Sequence, residues 1–228
     1  MLREDLESLP AYVPGKRMPD AVKLSSNESA HSPLPSTTQA IAESAAHSHR
    51  YPDMGVVELR KKLAAHLGLA DETCVTVGTG SSALCQQLVT ITCQPGDEVI
   101  FPWRSFEAYP IFTQVTGATA VPVPLRELRN DLPAMAEAIT ERTRLIFVCN
   151  PNNPTGTTIS PEEFREFMDR VPADVVVALD EAYVEYNTAD NTPLATEAVR
   201  QYPNVIGLRT FSKAYGLAGL RVGYAFGH

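Results

Sequence analysis

The chain has 228 residues, of which 19 are lysine or arginine and 27 are aspartate or glutamate, so its formal net charge at pH 7 is −8. This acidic balance disfavours a general nucleic-acid binder and a protein of anionic membrane surfaces, since both depend on clustered positive charge. The apolar fraction of 44% is that of a globular protein, and the length fits one large domain or two small ones.

The N-terminal fifty residues predict an extended arm. The start MLREDLESLP has mixed charge and no apolar core, so we do not expect a signal peptide, and no apolar run approaches the roughly 20 residues of a membrane-spanning helix. Proline recurs from Pro10 to Pro35, with a short helix expected around Thr37–Ser48. An arm over residues 1–50 needs a surface to lie on, either its own core or a partner subunit.

From Tyr51 to the end, the pattern predicts an α/β domain over residues 51–228. Apolar, β-branched runs alternate with segments of helical spacing, which is typical of a mainly parallel sheet between helices. The predicted strands are Cys74–Val77, Glu98–Phe101, Ala120–Val123, Leu145–Cys149, Val175–Asp180, Asn204–Leu208 and Arg221–Ala225. The predicted helices are Val56–Leu67, Ser81–Thr92, Ser105–Thr116, Leu132–Ala138 and Pro161–Arg170, the last with Ser160 and Glu163 as a capping box.

Segments rich in glycine and polar residues follow five of the predicted strands. Ligands bind outside the carboxyl ends of the strands in open α/β sheets, so we expect these segments to form one site. They are GTGSS (Gly78–Ser82), PWRSFEAY (Pro102–Tyr109), NPNNPTG (Asn150–Gly156), DEAY (Asp180–Tyr183) and TFSKAYGLAGLR (Thr210–Arg221).

Four of these segments suggest a function, each with a structural alternative. NPNNPTG either presents a side-chain amide on a rigid turn or is a turn with a structural role alone. GTGSS either binds an anion at a helix N-terminus or is a plain turn. Asp180 ends a buried strand, so its carboxylate either pairs with a cationic ring nitrogen or caps a turn. Lys213 is either a desolvated, nucleophilic amine or a solvated surface group, and its neighbours Ser212 and Arg221 suit an anion.

The cysteines and histidines do not predict a metal site. The four cysteines lie far apart without a CxxC pair, and the five histidines have no ligand spacing. We interpret the cysteines as buried, reduced thiols of a cytoplasmic protein.

The segments resemble those of the fold-type I pyridoxal-phosphate aminotransferases. NPNNPTG, DEAY, SK and GLAGLRVGY occur in the order of that family, and KLSSNES and YPDMG resemble its histidinol-phosphate group. WRSFEAYPI and GSSALCQQL resemble the aromatic, phenylalanine-type branch. The resemblance implies a large domain that binds pyridoxal 5'-phosphate on a mainly parallel seven-stranded sheet, with an extended N-terminal arm. It also implies a homodimer that transaminates an aromatic amino acid with a 2-oxo acid, or alternatively histidinol phosphate.

The resemblance also implies roles for the residues around the cofactor ring. Lys213 matches the lysine that joins the cofactor aldehyde and later moves the proton from the substrate Cα. Asp180 would keep the pyridine nitrogen protonated, so that the ring accepts the carbanion electrons. Asn153 and Tyr183 would hydrogen-bond the ring 3'-oxygen, and Phe106 aligns with the aromatic residue that stacks on the ring.

Other roles concern the phosphate and the substrate. The residues that would hold the phosphate are Ser81, Ser82, Ser212 and Arg221. Tyr51 would reach the phosphate of the neighbouring subunit. Asn27 lies in the arm segment that borders the substrate pocket.

The chain departs from the family pattern in two places. The arm reads NESAHSPLPS where Asn-Glu-Asn-Pro is common, and the sequence has no C-terminal small domain with the arginine that grips the substrate carboxylate. We therefore expect a fragment or a truncation, and two further hypotheses stay open. One is a catalytically impaired remnant that only binds cofactor or dimerises, and the other is lyase or decarboxylase chemistry with the same lysine.

Overall fold

The computed structural model describes residues 6–9 and 18–228. The remainder of the predicted arm, residues 1–5 and 10–17, lies outside the described residues. The part of the arm at 18–50 is almost entirely exposed and contains one α-helix, α1 (Pro35–Ala45). This helix begins two residues earlier than predicted because Pro35 occupies its first turn, where a missing N–H costs nothing.

A seven-stranded sheet forms the centre of the domain, as predicted. In chain order its strands are β1 (Val75–Gly78), β2 (Glu98–Trp103), β3 (Thr119–Pro124), β4 (Thr143–Cys149), β5 (Val176–Asp180), β6 (Val205–Thr210) and β7 (Gly223–Phe226). The spatial order is β1-β7-β6-β5-β4-β2-β3. Only β7 runs antiparallel to its neighbours, β1 and β6, so the sheet is mainly parallel. The carboxyl ends of the other six strands therefore share one edge.

Helices cover both faces of the sheet. The helices after α1 are α2 (Val57–Leu67), α3 (Ser81–Thr92), α4 (Ala108–Thr116), α5 (Leu132–Glu137), α6 (Pro161–Met168) and α7 (Ala195–Gln201). One apolar cluster joins α3 and α4 to the sheet, and the other joins it to α2, α5, α6 and α7. In the described part of the chain, no helix is long and apolar enough to cross a membrane.

Two helices differ from the prediction for identifiable reasons. Helix α4 starts at Ala108 rather than Ser105, because Ser105 is buried and its hydroxyl donates to the Asn152 side chain at 2.7 Å. Helix α7 was not predicted. Its first amide, that of Ala195, donates to Glu181 Oε1 at 2.7 Å, so its N-terminus depends on a distant residue.

Glycine at position 223 sets how closely β7 approaches the start of α3. A Cβ there would lie 2.6 Å from the carbonyl carbon of Gly80 and 3.0 Å from Cα of Ser81. Both neighbours are backbone atoms, which cannot rotate away as a side chain would. The N-terminus of α3 is therefore held against the sheet only because residue 223 lacks a side chain.

We expect Gly223→Ala to destabilise the domain by about 1–3 kcal/mol, because the added methyl overlaps fixed backbone. Gly219→Ala is the matched control, since a Cβ at position 219 meets no atom within 4 Å. Its effect should stay within about 0.5 kcal/mol. Equal free energies of unfolding for the two variants in urea denaturation would contradict the close approach.

Candidate active site

A cavity of about 750 Å³ opens at the carboxyl edge of the sheet. It collects side chains from all five segments that follow strands, together with part of the arm. The predicted site residues that line it are Asn27, Ser81, Ser82, Phe106, Asn153, Asp180, Tyr183, Ser212, Lys213 and Arg221. Tyr51 does not line it, and the Tyr51 side chain is fully exposed.

Asp180 lies at the end of β5 and is 3% exposed. Its Oδ2 accepts a hydrogen bond from the Tyr109 hydroxyl at 2.7 Å, and its Oδ1 accepts one from the Ala182 amide at 3.2 Å. Burial raises the pKa of Asp180, and these two hydrogen bonds oppose that effect. Among the described residues the carboxylate has no ion-pair partner, so a cation delivered to the cavity would be stabilised there.

Lys213 follows β6 and faces the same cavity. Its Nζ donates to the carbonyl oxygen of Ser26 in the arm at 2.8 Å and lies 5.5 Å from the centroid of the Tyr183 ring. Burial lowers the pKa of Lys213, and repulsion from Arg221 adds to this, whereas Glu28 acts in the opposite direction. More of the amine is therefore neutral at a given pH than in a solvated lysine, which favours attack on a carbonyl carbon.

An anion cradle lies at the start of α3, in the same cavity. The helix begins after Gly80, which has a φ of 88° and provides no side-chain cap, and the backbone N–H groups at a helix N-terminus favour a bound anion. The Arg221 guanidinium lies 3.4 Å from the Ser212 hydroxyl and against Gly80, where a Cβ would collide with it. With Ser81 and Ser82, these groups suit a phosphate.

The NPNNPTG segment divides into structural and cavity-lining asparagines. Asn150 and Asn152 are 2% exposed. The Asn152 side-chain amide donates to Thr155 at 2.8 Å and fixes the turn itself, whereas the Asn150 side-chain amide donates to Thr192 at 2.9 Å and ties the turn to the segment before α7. Asn153 instead lines the cavity.

Two of the other predicted residues make contacts of their own at the cavity. The Tyr183 hydroxyl accepts a hydrogen bond from the Asn27 side chain at 2.9 Å, which ties the arm to the site. Phe106 lines the cavity and meets Tyr109 edge-on, with ring centroids 5.4 Å apart.

Sequence reasoning missed Tyr109. It lies within the PWRSFEAY segment, but the sequence analysis assigns it no role; in the structure it is fully buried and does not line the cavity. The signal available was its position in a segment that follows a predicted strand and also contains Phe106, a predicted site residue. The four cysteines are free. Cys85, Cys93 and Cys149 are buried, as interpreted from the sequence, but Cys74 is only half-buried.

Comparison with known proteins gives the family. The family model described as aminotransferase class I and II matches residues 19–228. An aromatic amino acid aminotransferase of Corynebacterium efficiens is 67% identical and covers 100% of this chain, and one of Rhodococcus jostii is 62% identical and covers 98%. The chain spans 67% and 62% of the lengths of these two relatives.

Solved structures show the same fold. A histidinol-phosphate aminotransferase of Sinorhizobium meliloti, in complex with pyridoxal-5'-phosphate, matches with a TM-score of 0.83 at 33% identity, over 89% of this chain and 55% of that one. An aromatic aminotransferase of Pyrococcus horikoshii matches with a TM-score of 0.85 at 23% identity, over 98% of this chain and 61% of that one. The fold, the converging segments and the family model agree, and the chain belongs to the class I and II aminotransferases.

Proposed function

We propose that residues 51–228 form the large, cofactor-binding domain of an aminotransferase that uses pyridoxal 5'-phosphate to transfer the amino group of an aromatic amino acid to a 2-oxo acid. The observation that carries the proposal is that Lys213 and Asp180 line one cavity together with the residues of an anion cradle. The names of the curated relatives support the aromatic substrate over histidinol phosphate.

The residues of the cavity fit this cofactor at both of its ends. At one end, a buried carboxylate without an ion-pair partner among the described residues suits a protonated pyridine nitrogen. At the other, Arg221, Ser212 and the uncapped start of α3 suit a phosphate, and a Cβ at Gly80 would fill the space that the guanidinium occupies. Between them, Asn153 and Tyr183 would bind the ring oxygen and Phe106 would cover a ring face.

Each side chain then has a task in transamination. When bound, the cofactor supplies an electron sink for the charge left when a proton leaves the substrate Cα. Asp180 would hold a proton at the ring nitrogen. The Lys213 amine, with its lowered pKa, would take the proton from the substrate Cα and pass it to the C4′ carbon of the cofactor. Arg221 and the serines anchor the phosphate and keep both groups in register.

We further propose a cytoplasmic homodimer. The arm and the turn after it expose large apolar side chains, including Val22, Leu24, Leu34 and Met54, which are between 71% and 94% exposed. Such exposure is typical of a surface that another chain covers. Asp53 holds the turn next to Tyr51 by accepting the amides of Gly55 and Val57, which suits a side chain presented outward to a partner's site. The free cysteines support the reducing compartment.

The covalent step is tested by trapping. Pyridoxal phosphate is added, and borohydride then reduces the carbon–nitrogen double bond between its aldehyde carbon and the lysine amine to a stable single bond. The peptides are analysed by mass spectrometry. We expect the added mass on the peptide that carries Lys213 and none in Lys213→Ala. Because burial lowers the pKa of Lys213 below its usual value of 10.5, attachment should begin at a lower pH than on free lysine.

Lys61→Ala is the matched control, because Lys61 is an exposed lysine on α2 paired with Glu58. It should retain full labelling at position 213. Labelling spread over the surface lysines, with equal yield in Lys213→Ala, would refute the cofactor assignment.

The trans role of Tyr51 is tested by mixing variants. We expect Tyr51→Phe to weaken cofactor binding about tenfold, through loss of a hydrogen bond to a charged group. Mixing it with Lys213→Ala should restore high-affinity sites, up to one in each mixed dimer, since one site then has an intact Lys213 and an intact Tyr51. No recovery in a mixture shown by sedimentation to contain dimers would mean that Tyr51 does not act across the interface.

A further inference from the structure

We infer that Tyr109 is a positioning residue for the proposed reaction, with a hydroxyl that holds the Asp180 carboxylate in place for the cofactor's ring nitrogen. This inference rests on the proposed function and adds a residue that does not line the cavity. It starts from one contact, the 2.7 Å hydrogen bond from Tyr109 Oη to Asp180 Oδ2. The bond joins the first turn of α4 to the end of β5, 71 residues later in the chain.

The Tyr109 ring is fixed from several sides. It is fully buried and stacks on Phe147 of β4, with ring centroids 4.4 Å apart and planes inclined by 12°. Phe106 meets it edge-on, and Phe101 lies 6.0 Å away. A ring packed in this way cannot swing, so the direction of its hydroxyl is set by the core rather than by the cavity.

The hydroxyl has a distinct electrostatic task at Asp180. The titratable groups that face this carboxylate are Tyr109 from α4, Cys85 from α3, Cys149 from β4 and the nearby Tyr183. Burial raises the pKa of each of them, so all four are neutral at physiological pH. The carboxylate therefore depends on two donors, the Tyr109 hydroxyl and the Ala182 amide, to offset its burial.

The two donors take different oxygens of the carboxylate. Tyr109 occupies Oδ2 and Ala182 occupies Oδ1, so rotation of the carboxylate would break both bonds. Without the hydroxyl, the carboxylate would rotate more freely and take up a proton at higher pH. A protonated Asp180 cannot pair with a protonated ring nitrogen.

Phe106 and Tyr109 also connect two parts of the site. Phe106 lines the cavity, and Tyr109 supports it from behind through the edge-on contact. One short stretch before and within α4 thus contains both the side chain that would stack on the cofactor ring and the side chain that orients the Asp180 carboxylate.

The test is a double-mutant cycle on cofactor binding, with Tyr109→Phe, Asp180→Asn and the double variant of the full chain. Dissociation constants for pyridoxal phosphate are read from the fluorescence of the single tryptophan. We expect Tyr109→Phe to bind about tenfold more weakly, as for a lost hydrogen bond to a charged group. In the Asp180→Asn background the same change should have less than about a twofold effect, because the partner charge is already gone.

A pH series separates positioning from packing. In Tyr109→Phe the affinity should decline at a higher pH than in the unaltered chain as the solution is acidified, because Asp180 has lost a hydrogen bond that lowers its pKa. Tyr224→Phe is the matched control, a second buried tyrosine that does not line the cavity, and its affinity and pH profile should match those of the unaltered chain.

The outcomes discriminate clearly. Equal affinity in Tyr109→Phe, additive losses in the double variant, an unshifted pH profile, or a Tyr109→Phe chain that does not fold would each overturn the inference. If the unaltered chain bound no pyridoxal phosphate, the proposed function itself would fail. If the unaltered chain and Tyr109→Phe bound it equally well, only the role of Tyr109 would fail.

Discussion

A carboxylate buried without a cation among the described residues is the constraint on which the site depends. Asp180 is at the end of a buried strand, and burial raises its pKa. The ionised form therefore lowers the stability of the folded chain once the pH rises above the pKa of a free carboxyl group. Two hydrogen bonds offset part of this cost. A protonated ring nitrogen would offset the rest, which would explain why a charged group is kept at the buried carboxyl end of β5.

The remaining groups are arranged around that position by the sheet. Because the carboxyl ends of six strands share one edge, segments far apart in the chain converge on one cavity. Close backbone packing at Gly223 and Gly80 brings the start of α3 against Arg221, which builds the anion cradle in the cavity that Asp180 also lines. A ligand held by both groups would be fixed beside Lys213, which lines the same cavity, and in this way a rigid fold converts binding into alignment.

The strands and the converging segments were predictable, because fully buried parallel strands read as continuous apolar runs and their polar ends stand out, as at Val175–Asp180. Long-range contacts made by side chains were not predictable from the sequence. Helix α7 begins where Glu181 receives the amide of Ala195, and Tyr109 owes its role to a strand end 71 residues away. Local sequence contains neither partner. Tyr51 faces solvent in the single chain, so its contact with the phosphate site of a partner subunit stays a prediction.

The protonation state of the bound ring nitrogen is the most direct test of this account. Pyridoxal phosphate labelled with ¹⁵N at that atom, bound to the chain and observed by NMR at neutral to mildly alkaline pH, should give the chemical shift of a protonated pyridine. The Asp180→Asn chain should give that of an unprotonated one. An unprotonated nitrogen in the unaltered chain, or identical shifts in the two proteins, would contradict the pairing of Asp180 with the ring.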